Sequence, residues 1–203
     1  MEDFHGNKHK TDRRTIYTLN VIKDAFLKLI EQMPYNQIKV TELCREAGIT
    51  RSTFYSHYDN LTDVLNELLD EALLFTNTTE PQPPVDENIS IDTLKENESL
   101  LPACQRIADS PKYHNLLMDS SLSDYIIGRI IKHEKTRTVP SIQKRTGLDE
   151  SQAELLFIYA IHGSFAINKK HHFIKNEAWY RDLQVLNQFT SGGYKTFQKN
   201  KEH

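Results

Sequence analysis

A short polar segment near the start of the chain carries side chains suited to binding another molecule. Its sequence from residue 50 to residue 58 is TRSTFYSHY. If the segment is helical, Phe54 and Tyr58 lie four residues apart on one face and point inward. The outer face then carries a guanidinium, hydroxyls and an imidazole, groups suited to the polar edges of bases and to anions.

The outer side chains divide by their position along this predicted helix. Residues at the start of such a helix reach base edges, and Arg51, Ser52 and Thr53 occupy those positions. An arginine can hold O6 and N7 of a guanine with two hydrogen bonds. Later side chains suit phosphate oxygens, which fix register without reading sequence. These later side chains are Tyr55, Ser56 and His57.

Two short helices separated by a tight turn must position these side chains. Apolar residues at positions 40, 43, 44 and 47 predict a helix that ends at Gly48, a natural left-handed terminator. Thr50 can cap the next helix, which is predicted to run to about Tyr58. The pair is predicted to be a helix-turn-helix whose second helix lies in a DNA major groove. From spacing alone, an αα-hairpin that only packs small helices fits equally well.

Longer helices are predicted on both sides of this pair. Apolar residues at positions 19, 22, 26, 29 and 33 predict a helix from about Arg13 to just before Pro34. A helix capped by Asp59 or Asn60 is predicted from Leu61 to about Phe75.

The rest of the chain also predicts helices. Pro81, Pro83 and Pro84 among polar residues indicate a linker or long loop over 76–91. No stretch alternates with period two between turn signals, so an all-α architecture is predicted. Further helices are predicted near 92–108, 111–118, 120–137, 149–170 and 178–198.

Composition and charge limit the classes of function. The chain has 203 residues with a net charge of −3, which argues weakly against nucleic acid as a partner. The charge is uneven, because residues 1–60 hold nine basic and eight acidic residues. A basic cluster precedes the first helix and indicates either a solvated tail or an arm near a phosphate backbone. The cluster consists of Lys8, Lys10, Arg13 and Arg14.

Other motifs predict neither an enzyme nor a metal protein. The sequence lacks a Gly-rich phosphate loop, GxSxG, HExxH and a close acidic pair on one helix face. Cys44 and Cys104 form no metal-ligand spacing, and no cofactor is predicted. The first ten residues are polar and lack the apolar run of a secretion signal. The longest apolar block, 155–167, is too short to cross a bilayer. We therefore expect a soluble, cytoplasmic protein.

Residues 13–65 resemble the DNA-binding head of the TetR/AcrR family of one-component bacterial repressors. The resemblance rests on Ile22 and Phe26, then on VTELCREAGIT, RSTFYSHY and DNLTDVL over 40–65. It implies a three-helix DNA-binding domain with its N-terminal arm in 1–60. It also implies a larger helical bundle for regulation and dimerisation in 61–203. The function implied is that of a homodimeric repressor that binds palindromic operator DNA and is released by a small-molecule effector.

The resemblance also implies roles for single residues. Arg51, Ser52 and Thr53 align with base-contacting positions, and the residues at 55–57 align with phosphate-contacting ones. Thr50 belongs to the same site, and Lys39 and Thr41 stand where the second helix meets the DNA backbone. Two positions depart from the family. Lys39 replaces a capping Ser or Thr, and Leu61 replaces a Lys that would contact phosphate.

Two features of the C-terminal part remain open. The apolar block 155–167 predicts a helix buried on nearly every face, either by a second subunit or as a central core helix. Gly163 and Ala166 would allow a partner helix to approach closely, and the last helix could complete a four-helix interface. The family also implies an effector cavity, although each candidate fits ordinary core better than a cavity wall. The candidates are Tyr113, Leu117, Tyr125, Phe157, His162 and Phe165. An alternative is an effector-independent regulator that acts through a protein partner.

Overall fold

The computed structural model describes residues 13–73, 90–96 and 111–199, and these residues form helices and turns without any strand. The predicted all-α fold class is therefore confirmed over these ranges. The helices are α1 (Arg13–Ile30), α2 (Val40–Glu46), α3 (Arg51–Tyr55), α4 (Leu61–Ala72), α5 (Ile91–Glu96), α6 (His114–Met118), α7 (Ser123–Thr146), α8 (Glu150–Lys170) and α9 (Glu177–Lys199).

The chain divides into two compact units, and the division falls inside α4, between Glu67 and Leu68. The N-terminal unit contains α1, α2, α3 and the first half of α4, while the later helices belong to the C-terminal unit. The roles predicted for segments 1–60 and 61–203 remain predictions.

The N-terminal unit is held together by apolar side chains from each of its helices. Ile22 and Phe26 of α1 are fully buried, as are Leu43 of α2, Phe54 of α3 and Val64 of α4. Helices as short as α2 and α3 are marginal in isolation, so this shared core supplies most of their stability. The first helix ends at Ile30, one turn earlier than the predicted stop before Pro34.

The C-terminal unit is built around the three long helices α7, α8 and α9. Phe157 and Ile161 of α8 and Trp179 of α9 are buried in this unit. The first turn of α8 is closed by a reciprocal cap, in which Asp149 Oδ1 accepts from Gln152 N at 2.8 Å. The short helix α5 contributes Leu94, which packs with Trp179 and its neighbours on α9.

The predicted end of the seventh helix at residue 137 is wrong, because α7 continues to Thr146 with Pro140 inside it. Proline has no backbone N–H, so the carbonyl of Thr136, four residues earlier, loses its helix hydrogen bond, and both residues are exposed. Val139 and Ile142 are buried on the opposite side and favour continuation of the helix by tertiary packing. Gly147, with φ of 73°, ends the helix in the left-handed conformation.

Several other helices are shorter in the structure than predicted, and some predicted segments lie outside the described residues. The fourth helix ends at Ala72 rather than near Phe75. The helix predicted at 111–118 consists of a 3-10 turn, Pro111–Tyr113, followed by α6. Three other predictions concern segments outside the described residues. These are most of the linker at 76–91, the second part of the helix at 92–108, and the basic residues Lys8 and Lys10.

Candidate nucleic-acid interface

The turn between α2 and α3 depends on a glycine in the left-handed conformation. Gly48 has a φ of 65°, and Ile49 N donates to Cys44 O at 3.0 Å, which closes the end of α2. A Cβ added at Gly48 would meet no atom within 4 Å. The requirement for glycine is therefore conformational rather than steric. This confirms the terminator predicted at position 48.

The start of α3 is fixed by the threonine that the sequence predicts as a cap. Thr50 Oγ1 accepts from Thr53 N at 3.1 Å, and the hydroxyls of the two threonines lie 2.9 Å apart. One of the amide groups left over at a helix start is thereby satisfied. The described geometry gives Thr50 a structural role in positioning α3, in addition to the DNA contact predicted for it.

Aromatic side chains hold the underside of α3. Phe54 is fully buried, and its ring centroid lies 5.9 Å from that of Tyr58. Tyr58 is also buried, and its hydroxyl donates to Glu67 Oε2 of α4 at 2.8 Å. Lys23 Nζ of α1 lies 3.9 Å from the same carboxylate oxygen. Glu67 therefore connects α1, the segment after α3, and α4.

The opposite side of α3 is exposed and polar. Arg51, Ser52, Tyr55 and Ser56 are exposed, whereas Thr53 and His57 are half-buried. The Arg51 guanidinium lies 5.9 Å from the centroid of the Tyr55 ring, so the ring and the charge lie side by side. The structure thus brings the predicted base-contacting and phosphate-contacting side chains together at one helix.

The start of α2 is capped without a contribution from the side chain of Lys39. Lysine has no acceptor atom, and instead Lys39 N donates to Glu42 Oε2 at 3.0 Å. Glu42 therefore supplies its own half of a reciprocal cap, and the half that a Ser or Thr at position 39 would supply has no equivalent from lysine. The side chains of Lys39 and Thr41 are exposed at this end of α2.

Two side chains at this pair of helices have shifted pKa values. Burial raises the pKa of the Cys44 thiol, and the nearby positive charge of Arg51 opposes that rise. Lys28 of α1 pairs with Glu46 at the end of α2, and this hydrogen bond raises the pKa of the Lys28 ammonium. The acidic side chain at the end of α2 is thus engaged by a lysine of α1.

Two contributors to this site were missed by sequence reasoning, namely Glu42 and Glu67. Glu42 could have been found from the capping pattern, because it lies three residues after Lys39, the N-cap residue that precedes α2. No local signal identifies Glu67, since its contact to Tyr58 depends on how α4 packs.

The six predicted effector residues do not share one environment. Tyr113, Leu117, Phe157 and Phe165 are buried in the C-terminal unit. Tyr125 and His162 are exposed. The Tyr113 hydroxyl donates to Glu71 Oε2 at 2.6 Å, which is a structural role. The assignment of these six residues to an effector site remains a prediction.

Within residues 13–73, 90–96 and 111–199, no three histidine, cysteine or acidic side chains gather as a metal site would require. No helix in those ranges combines the length and the apolar character needed to span a membrane.

The α2–turn–α3 geometry places the chain in the class of helix-turn-helix proteins. No protein-family model matches the sequence. Over 62 residues, 30% of its length, the chain is 32% identical to an uncharacterized HTH-type transcriptional regulator, YxbF, of Bacillus subtilis (strain 168), and this covers 16% of that protein. Over 54 residues, 27% of its length, it is 33% identical to the HTH-type dhaKLM operon transcriptional activator DhaS of Lactococcus lactis subsp. lactis (strain IL1403), covering 29% of that protein.

These similarities narrow the class to HTH-type regulators. The chain has weak homology to two proteins named as transcriptional regulators and not as enzymes. The matches span less than a third of the length of either relative.

Proposed function

We propose that the chain is a cytoplasmic transcriptional regulator of the TetR/AcrR kind, which binds operator DNA through α3 and represses transcription. The observation that carries this proposal is the separation of α3 into two faces. Phe54 and Tyr58 are buried, while Arg51, Ser52 and Tyr55 are exposed on the other side. A helix that is held rigidly and exposes polar side chains beside a tight turn has the geometry that entry into a major groove requires.

The positions along α3 support different roles for its side chains. Arg51, Ser52 and Thr53 stand in the first turn, where a recognition helix reaches base edges. Tyr55 and the two residues after it stand at the end of the helix, closer to the flanking phosphates. Lys39 and Thr41 at the start of α2 would contact the backbone beside the recognition helix. Arg51 is the residue with the clearest base preference, since its guanidinium matches guanine.

Exposed apolar side chains on α8 and α9 support homodimerisation. Leu155 and Tyr159 of α8 are 67% and 63% exposed, and Val185 and Phe189 of α9 are 65% and 61% exposed. Both pairs have a spacing of four, so each forms a stripe on one helix. A second copy of the chain would cover these stripes in a two-fold interface. Two DNA-binding heads would then meet a palindromic operator.

Effector control is the second part of the proposal, and it rests on the family resemblance. A small molecule that binds the C-terminal unit would favour a conformation whose paired heads no longer fit the operator. Nearly complete release requires the ligand to discriminate between the two conformations by about 5.5 kcal/mol. Trp179 reports on this unit, because it is buried and its Nε1 donates to Asn168 Oδ1 at 2.7 Å. A library compound that quenches its fluorescence and also releases DNA would support this mechanism. If no compound in the library quenches the fluorescence or releases DNA, an effector-independent regulator that acts through a protein partner is favoured.

Activation is a second candidate for the direction of control, because the relative DhaS is named as an activator. A reporter placed behind the selected operator separates the two. Expression that rises when the chain is removed supports repression, whereas expression that falls supports activation.

Selection of duplexes from a random library by the full chain tests DNA binding itself. We expect enrichment of an inverted repeat whose half-sites are separated by about one helical turn or a multiple of it, about 34–36 Å per turn. The control is a chain in which Arg51 and Ser52 are both replaced by alanine, because both side chains are exposed and the core of the head is retained. Failure of the wild-type chain to enrich any sequence at moderate salt would overturn the proposal.

A further inference from the structure

A histidine lies in the middle of the exposed stripe on α8. The exposed residues of this stripe are Leu155, Tyr159, His162 and Ala166, which are spaced by four, three and four residues. At about 100° per residue they fall within an arc of about 60°, so they share one face of the helix. An imidazole in an otherwise uncharged stripe changes the character of that surface when it gains a proton.

The last helix, α9, runs back alongside α8. Near the end of α8, Asn168 Oδ1 accepts from Trp179 Nε1 of α9 at 2.7 Å. Just before α8 begins, the guanidinium of Arg145 lies 4.9 Å from the centroid of the Tyr194 ring of α9. The two helices therefore run in opposite directions. With a rise of about 1.5 Å per residue in both, the histidine of the stripe is level with about residue 185 of α9.

The segments of α8 and α9 around His162 contain no charged residue. The sequence has no Lys, Arg, Asp or Glu from residue 155 to residue 168, and none from residue 183 to residue 194. The other titratable side chains in these two segments are phenols, which as a class lose their proton only near about pH 10. They belong to Tyr159 and Tyr194.

The charged groups of α7 lie on the other side of α8. Because the stripe is exposed, α7 contacts the buried side of α8, which includes Phe157 and Phe165. Charged groups along this contact are engaged with other residues, and Asp124 and Lys132 of α7 are exposed. The engaged pairs are Lys135 with Glu154, Arg129 with Asp70, His133 with Glu134, and Lys169 with Ser123. Among the described residues of α7, α8 and α9, no carboxylate therefore lies along the stripe to compensate a proton on its histidine.

The order of large and small residues along the stripe favours a second copy of the chain as its partner. Leu155 and Tyr159 occupy the first half of the stripe, whereas Gly163 and Ala166 occupy the second half. A Cβ added at Gly163 would meet no atom within 4 Å, so the surface above this glycine is open. In an antiparallel pairing of two α8 helices, each Tyr159 lies against the small residues of the other copy. This pairing puts the two-fold axis within about 2 Å of His162, measured along the helix.

We propose that the α8 stripe is the centre of a homodimer interface that forms when His162 is neutral and opens when it is protonated. The inference rests on the homodimer of the proposed function and adds its regulation by protons. A residue beside a two-fold axis meets its own copy, so protonation would bring two positive charges together in an apolar contact. Histidine is the side chain that gains its proton between about pH 5 and 8. Because a palindromic operator needs two paired heads, DNA binding would weaken over the same range.

The experiment measures the dimer dissociation constant of the full chain by analytical ultracentrifugation, in a buffer that contains EDTA. We expect the constant to rise about thirtyfold or more from about pH 8 to about pH 5.5, because charged imidazoles would lose their water in the interface. His162→Gln keeps an uncharged polar side chain and should reduce this rise to less than about threefold. His172→Gln is the matched control, because His172 is exposed in the turn after α8, outside the stripe, and this variant should keep the wild-type rise.

A permanent charge at position 162 tests the same interface without acid. We expect His162→Lys to weaken the dimer at about pH 8 by about thirtyfold, as protonation does in the wild-type chain. Circular dichroism that is unchanged between the variants and over the pH range excludes unfolding as the cause.

The outcomes separate the proton switch from the homodimer itself. A dimer whose dissociation constant does not change with pH, or changes equally in His162→Gln, would overturn the switch while leaving the homodimer intact. A rise that is also lost in His172→Gln would overturn it as well, since the effect would then not belong to the stripe. A wild-type chain that is monomeric at every pH removes the homodimer and the switch together, and duplex selection still tests DNA binding independently.

Discussion

The two units of the chain differ in the side chains that distinguish their surfaces and interiors. In the N-terminal unit, Phe54 is buried and the polar outer face of α3 is exposed. In the C-terminal unit, large apolar side chains such as Leu155 and Phe189 are exposed, while Glu134 and Arg137 of α7 are only 2% and 8% exposed. The first arrangement suits a unit that meets a charged polymer, and the second suits a unit whose surface is covered by another protein surface. The predictions below test this contrast.

The largest effect is expected for the aromatic support of α3. We expect Phe54→Ala to destabilise the N-terminal unit by about 3–5 kcal/mol, because a fully buried ring is replaced by a cavity. Chemical denaturation followed by circular dichroism measures this loss. Tyr55→Ala is the matched control, since the neighbouring ring is exposed and its loss should cost about 1 kcal/mol or less. Equal losses for the two variants would contradict the division of α3 into two faces.

The buried charges of α7 should have the next largest effect. Glu134 Oε1 lies 2.7 Å from His133 Nδ1, and Glu134 Oε2 lies 3.6 Å from a guanidinium nitrogen of Arg137. We expect Arg137→Met to cost about 3 kcal/mol, because it removes the positive charge beside the buried Glu134 carboxylate, which keeps only its contact to His133 among those described above. Adding Glu134→Leu should restore much of that stability. The measurement is a double-mutant cycle by thermal denaturation, and purely additive losses would contradict a coupled pair.

The exposed stripes should decide the oligomeric state. We expect Leu155→Glu combined with Phe189→Glu to weaken self-association by at least about thirtyfold, or about 2 kcal/mol, since charge would be buried in an apolar interface. Analytical ultracentrifugation measures the change. Lys132→Glu on the exposed side of α7 is the control for altered charge and should leave association unchanged. A wild-type chain that is monomeric at every concentration would contradict the contrast between the units.

The smallest effect concerns the turn between α8 and α9. Hydrogen bonds from Lys170 and His171 lower the pKa of Asp182 below its usual value near 3.8. A carboxylate with a lowered folded-state pKa stabilises the fold above its unfolded pKa, and loses that contribution as the pH falls through the folded value. Asp182→Asn should therefore lower the melting temperature slightly near pH 7 and have almost no effect near about pH 2.5. A difference that persists at low pH would contradict this cause.

The helix-turn-helix was predictable because its signals are local. Gly48 and Thr50 mark a turn and a cap within three residues, and Phe54 with Tyr58 defines the buried face. The support from Glu67 could not be read in the same way, because it depends on the packing of α4 against the end of α3.

The C-terminal unit was harder to predict for the same reason. The helix end predicted near residue 137 was wrong, because burial of Val139 and Ile142 favours continuation of the helix past Pro140. The block 155–167 gave no indication of which face is covered within one chain. The structure assigns Phe157 and Ile161 to the core and leaves Leu155 and Tyr159 exposed.

The central claim is that the outer face of α3 reads DNA sequence, and the specificity of Arg51→Ala tests it most directly. Duplex selection with this variant, compared with Tyr55→Phe, separates base reading from backbone contact. We expect Arg51→Ala to lose preference at one position in each half-site, with about 1–3 kcal/mol of discrimination removed there, and Tyr55→Phe to weaken all sequences alike. Identical sequence preferences for Arg51→Ala and the wild-type chain would contradict the claim.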